Sequence, residues 1–217
     1  MRNDILNKNN MDYILDKITN TAKKSFDNPL KPKDVLELTP INKTFDEILD
    51  KDYITDKRRQ EIKEAQIISL PEEHFRGYTE NLFHSCVSRF FKSLNEENPE
   101  IKTDFCIEKD KYLELDLHSA EFSLGRFILK DILLPIFIDL VKDFLKNAFN
   151  ISNDDRVNIN IIFENKDNEN GVQPLQELKY DGKINEMEEK IQKQFPSVYK
   201  KDGSFVYGKD YKIDELC

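Results

Sequence analysis

Cysteine is scarce in this chain of 217 residues: Cys86, Cys106 and Cys217 are the only three. An odd number at such wide spacing excludes a disulfide framework, and there is no CxxC pair to hold zinc. The pattern points to a reducing compartment. Glycine is scarce too, at six residues, none of them in GxGxxG or GxxxxGK[ST] order. No phosphate-cradling loop is encoded, and no cofactor is expected. Clustered cations are missing as well. The densest basic spot, Lys57-Arg58-Arg59, is flanked by acids and reads as solvated, and the net charge is −9. Phosphate contacts need grouped Lys and Arg, so no nucleic-acid partner is expected. The opening residues, MRNDILNKNN, hold no apolar stretch of the secretory kind, and Cys217 lacks the three residues that follow a prenylated cysteine. A cytoplasmic setting is the expectation.

The chain is instead rich in charge, at 35% of residues, and it holds one long apolar run, RFILKDILLPIFIDLVKDFLKNAF over Arg126–Phe149. On a helical wheel Asp131, Asp139, Lys142, Asp143 and Lys146 share one arc, and apolar side chains fill the rest. Charges on one consistent side argue against a membrane span. The stretch therefore reads as a single long central helix, kinked where Pro135 falls inside the polar arc.

Around it, composition suggests two parts. Residues 1–70 read as a helical, partly irregular N-terminal arm, and 71–217 as an α+β core domain with a C-terminal hairpin. In the arm, Met11, Ile14, Leu15 and Ile18 follow helical spacing over about 10–25. Pro29, Pro32 and Pro40 mark a linker, Thr44-Phe45-Asp46-Glu47 is a capping box, and 55–68 is a charged helix. In the core, the pattern predicts a helix over 72–94, strands at Thr103–Glu108, Tyr112–His118, Arg156–Glu164 and near Leu175–Tyr180, a helix over 183–195, and a hairpin in SVYKKDGSFVYG. The fold class is two-layer α+β: a small, mostly antiparallel sheet packed against the long central helix.

Three groups of residues invite a chemical reading. Matching the apolar faces of the first two core strands pairs them as a hairpin, with Cys106 opposite Glu114 and Asp104 opposite Asp116. Asp104, Glu114, Asp116 and His118 then share a face and are candidate metal ligands. Glu80, His84 and Ser88 stack on the 72–94 helix, yet one straight helix cannot converge three side chains on a substrate. Gly125 and Arg126, at the expected start of the central helix, are a candidate anion site.

These observations favour a non-catalytic protein-binding or regulatory module with an accessory, immunity-type or assembly role. The alternative is a metal-dependent hydrolase or nuclease working from the acidic hairpin face. Met11, Ile14, Leu15, Ile18, Phe45, Ile48 and Leu49 sit in helices too short to be stable alone. They must lie on a larger surface, so a homo-oligomer or a complex with another protein, dependent on residues 10–50, is expected.

Overall fold

A computed structural model describes residues 34–115, 121–149, 151–152, 154–164 and 175–196. The described residues all belong to one compact unit. Its frame is a six-stranded sheet in the order β1-β8-β7-β6-β2-β4, formed by β1 (Val35–Ile41), β2 (Ile67–Leu70), β4 (Thr103–Phe105), β6 (Glu121–Leu129), β7 (Arg156–Glu164) and β8 (Leu175–Lys183). The sheet is mixed: β6/β7 and β2/β4 run parallel, and β1/β8, β7/β8 and β2/β6 antiparallel. A second sheet pairs β3 (Leu82–His84) with β5 (Leu113–Leu115) in parallel. The α+β class stands, with a larger and less antiparallel sheet than the pattern suggested.

Strand alternation divides the core between the two sheet faces. Phe127, Leu129, Val157, Ile159, Ile161 and Phe163 point to one side, where α3 (Ser85–Glu97), α4 (Leu134–Ala148) and α5 (Met187–Gln194) lie. Phe90 of α3 anchors this layer, with its ring centroid 6.2 Å from Phe127, 6.0 Å from Phe137 and 5.3 Å from Phe144. Ile68, Ile128, Ile162 and Leu175 point the other way, under α1 (Phe45–Leu49) and α2 (Asp56–Lys63). The capping box at Thr44 forms: Glu47 N–H donates to Thr44 Oγ1 at 3.2 Å, and Thr44 N–H donates to Glu47 Oε2 at 2.6 Å.

The stretch Arg126–Phe149 is two elements rather than one helix. Arg126–Leu129 completes β6, Asp131 turns the chain at φ 59°, and α4 starts at Leu134. Periodicity does not distinguish a buried strand from a buried helix, which is how RFIL joined the helical run. Pro135 falls in the first turn of α4, where a missing N–H costs nothing, so it opens the helix instead of kinking it. Among the described residues, no helix is long and apolar enough to cross a membrane.

Other boundaries move for related reasons. The segment expected as one helix over 72–94 is a tight turn at Phe75–Gly77, then β3, then α3. His74, Arg76 and Gly77 all have positive φ there, which a helix does not permit. The expected hairpin over 103–118 does not form. Its first strand joins the edge of the large sheet beside β2, and its second pairs with β3. Phe83, Phe105 and Tyr112 pack together instead, with centroids 4.7–5.3 Å apart. Residues 34–70 supply β1 and β2, not helix alone, and the wholly buried β2 lies between β6 and β4. Pro40 sits on β1, at the sheet edge, where a missing N–H is tolerated. The helix predicted over 10–25 and the hairpin predicted after Pro196 lie outside the described residues.

Candidate functional site

The side of the sheet under α1 and α2 is apolar at one end only. Successive rows across β6, β7 and β8 read Ile128–Ile162–Glu177, then Arg126–Asn160–Lys179, then Ser123–Asn158–Asp181. The last two rows are polar and half-buried. Three of these side chains have fixed partners: Arg126 Nε lies 2.8 Å from Glu177 Oε1 in the first row, Arg156 Nη2, next to the last row, is 2.6 Å from Asp181 Oδ1, and Asn158 Nδ2 donates to Asp181 Oδ2 at 3.4 Å.

One corner of this surface brings together three side chains from three segments. His84 ends β3 and is 6% exposed. Its Nε2 lies 3.1 Å from Ser123 Oγ on β6 and 3.6 Å from Glu72 Oε1. Glu72 is fixed by its backbone, which exchanges hydrogen bonds with Leu82 at 2.8 and 3.2 Å. Ser123 is brought in by a bulge in β6, where the register with β7 slips between Ser123 and Gly125. Gly125 has φ 71°, and a Cβ there would stand 3.2 Å from His84 Cδ2 and 3.6 Å from Glu72 Oε1. Only glycine suits both the backbone and the space. The His84 imidazole holds the Glu72 carboxyl below its ordinary value of 4.5, with a smaller pull from Arg126, against burial, which raises it. At 3.6 Å the Glu72–His84 contact is an ion-pair distance rather than a formed hydrogen bond.

The residues singled out from the sequence are placed differently. Asp104 accepts a two-pronged contact from Arg58, at 2.8 Å from Nη1 and 2.6 Å from Nη2. Glu114 lies on the other sheet and accepts from Tyr112 Oη at 3.0 Å. Asp116 and His118 lie outside the described residues. Cys106 is wholly buried, and burial pushes its thiol up to about 11. Glu80, His84 and Ser88 do not share a helix: Ser88 Oγ donates to the Ser85 carbonyl, and His84 belongs to β3. Gly125 and Arg126 lie within β6, away from any helix start, and the charge of Arg126 is matched by Glu177. Phe45, Ile48 and Leu49 pack on the chain's own second core, while Met11, Ile14, Leu15 and Ile18 lie outside the described residues.

Sequence reasoning missed Glu72, Ser123 and Arg58. Arg58 is 5% exposed and also donates to the carbonyls of Phe105 and Ile107, at 3.0 and 2.8 Å. Its position four residues before the buried Ile62 was the available signal, since both face inward from α2. For Ser123 the signal was a lone glycine close by in a strand-like run, which marks a bulge. Among the described residues, no three His, Cys, Asp or Glu side chains gather as a metal-holding group. Comparison with known proteins finds no matching family model, no matching curated sequence and no matching solved structure.

Proposed function

We propose that the chain is a non-catalytic protein-binding module, in an accessory, immunity-type or assembly role, and that the polar rows Arg126–Asn160–Lys179 and Ser123–Asn158–Asp181 are its contact surface. The observation that carries this reading is the half-coverage of one sheet face. Among the described residues, α1 and α2 close its apolar end and leave those rows uncapped. The rows carry both signs of charge and several amide donors and acceptors, and Arg126, Asn158 and Asp181 are positioned by contacts with Glu177, Arg156 and each other. Such a mixed, pre-ordered patch suits a protein surface of complementary charge. It suits nucleic acid poorly, since that requires one dominant positive field.

The outer edge of β1 is a less suitable docking element. Gln194 Nε2 donates to the Leu36 carbonyl at 3.4 Å, and Pro40 interrupts the row of donors. Free thiols at Cys86 and Cys106 go with a cytoplasmic setting. Self-association is a second form of the same reading. Ile48 and Leu49 are spent within the chain, so it now rests on Met11, Ile14, Leu15 and Ile18.

The test is capture of partners from the native host by the wild type and by an Asn160→Arg, Lys179→Glu double variant. Both sites are half-buried on the sheet face, so the melting temperature should change little. A specific partner retained by the wild type should be lost at least tenfold by the variant. Equal capture by both would remove this surface from the function.

A further inference from the structure

We propose that the loop of residues 73–81 is a docking element for another protein, one that offers an apolar pocket to the Tyr78 ring and a carboxylate at its rim to Arg76. The loop is closed at its foot, where Glu72 and Leu82 exchange backbone hydrogen bonds at 2.8 and 3.2 Å. Glu73 ties it to the connection between α1 and α2, accepting from Lys51 Nζ at 2.6 Å and from Tyr53 Oη at 3.0 Å. Beyond these anchors the backbone is strained. His74, Arg76 and Gly77 have φ of 58°, 48° and 85°, and only the last is a glycine. No residue from Glu73 to Glu80 is buried, so core packing does not account for this path. Strain kept at an exposed site goes with a conformation that a contact uses.

The side chains that the loop presents are of the kind that anchors protein interfaces. Among the described residues the exposed large apolar side chains are Tyr78, at 58%, and Leu113, at 47%. Both belong to this corner, since Leu113 lies beside Leu82 at the foot of the loop. Tyrosine gives a broad, stiff contact at low cost in conformational entropy. Arg58, Arg59, Arg126 and Arg156 each meet a carboxylate. Arg76 meets none among the described residues. Its guanidinium lies over the Phe75 ring instead, 5.1 Å from the centroid, which holds it ready for an outside acid.

A polyanion suits this loop poorly, because Glu73 and Glu80 flank Arg76 and the chain carries a net charge of −9. An apolar pocket with one acidic rim group matches both Tyr78 and Arg76. The loop presupposes the protein-binding reading and adds a second contact beside the polar rows. Glu72, at its foot, feels the charge of Arg126 in the nearer row.

A benzophenone amino acid in place of Thr79 in the full chain, activated by light in cells of the native host, tests the contact. Mass spectrometry should find one partner protein, crosslinked through a peptide that holds apolar residues and an Asp or Glu. The same partner, purified, should bind the wild type. Tyr78→Ala and Arg76→Glu should each weaken that binding at least tenfold with an unchanged melting temperature, since both side chains are exposed. Crosslinks that fail to form, that scatter over many proteins, or that join nucleic acid or a second copy of the chain would overturn the docking loop. Equal affinity of the purified partner for the variants and the wild type would do the same. A partner kept by both loop variants but lost by the Asn160→Arg, Lys179→Glu variant would remove the loop and leave the polar rows in place. Failure of the protein-binding reading itself shows differently, as a wild type that retains no partner at all.

Discussion

Arg58 illustrates how little a side chain's local sequence says about its environment. It sits in the most basic tripeptide of the chain, yet it is buried and spends its guanidinium on Asp104 and on two carbonyls of the β4 segment. Its neighbour Arg59 pairs with Asp50 and Asp56, whose side chains are largely exposed. The two should therefore respond very differently to substitution. Arg58→Met leaves Asp104 and two carbonyls without their donor, and should cost about 3 kcal/mol, toward the lower end for a broken buried pair because Asp104 keeps some solvent. Arg59→Ala removes two ion pairs with exposed partners and the hydrogen bond from Nε to the Leu49 carbonyl at 3.2 Å, but leaves no buried charge behind, and should cost about 1 kcal/mol. Urea denaturation of the two variants measures the difference. Equal losses would mean that the Arg58–Asp104 contact does not join α2 to β4 as described.

Elements follow the same division between local and distant causes. β7 runs from Arg156 to Glu164, the span that alternation predicts, because inward Val157, Ile159 and Ile161 alternate with outward Asn158 and Asn160. The Thr44 capping box is equally local and equally readable. The start of α4 is not, because RFIL and LPIF are both apolar and differ only in what lies beside them. Over the part that is helical, the charged positions of the wheel keep to the open side, with Asp143 and Lys146 exposed, whereas Pro135, placed in the same arc, is buried. Leu134 is 3% exposed, while Asp139 is partly open and near Lys142. Leu134→Asp should cost several kcal/mol by placing a charge in the core. Asp139→Leu should stay within about 0.5 kcal/mol, as surface changes do. Thermal melts compare the two directly, and similar losses would reverse the assignment of the buried side of α4.

At the scale of the whole molecule, the boundary that matters lies before β1. β2 is flanked by β6 on one side and β4 on the other, and Ile62, Ile67 and Ile68 are wholly buried. A chain starting at Pro71 loses β1, β2, α1 and α2, opens the sheet between β6 and β4, and uncovers the second core. It should fail to give a cooperative melt. A chain starting at Asp34 keeps every element of the compact unit and should melt cooperatively. Light scattering on that chain and on the full one then reads the contribution of Met11, Ile14, Leu15 and Ile18 to self-association. A cooperative melt from the Pro71 chain would show that residues 34–70 are dispensable to the core.

Local spacing was enough to settle what depends on neighbours in the chain: the amphipathic character of α4, the two sides of β7 and the cap at Thr44. These are set within a few residues by backbone geometry and side-chain type. Partnership between segments was settled only in three dimensions. Alternation says which side chains share a face of a strand but not which strand lies beside it, so β4 and β5 were matched to each other when each had a better partner in β2 and β3. The same holds for the two polar contacts of most consequence. Ser123 meets His84 across 39 residues and Arg58 meets Asp104 across 46, and no periodicity links positions so far apart. Burial of β2 and the β6 bulge bring them together, and both are products of packing the whole sheet.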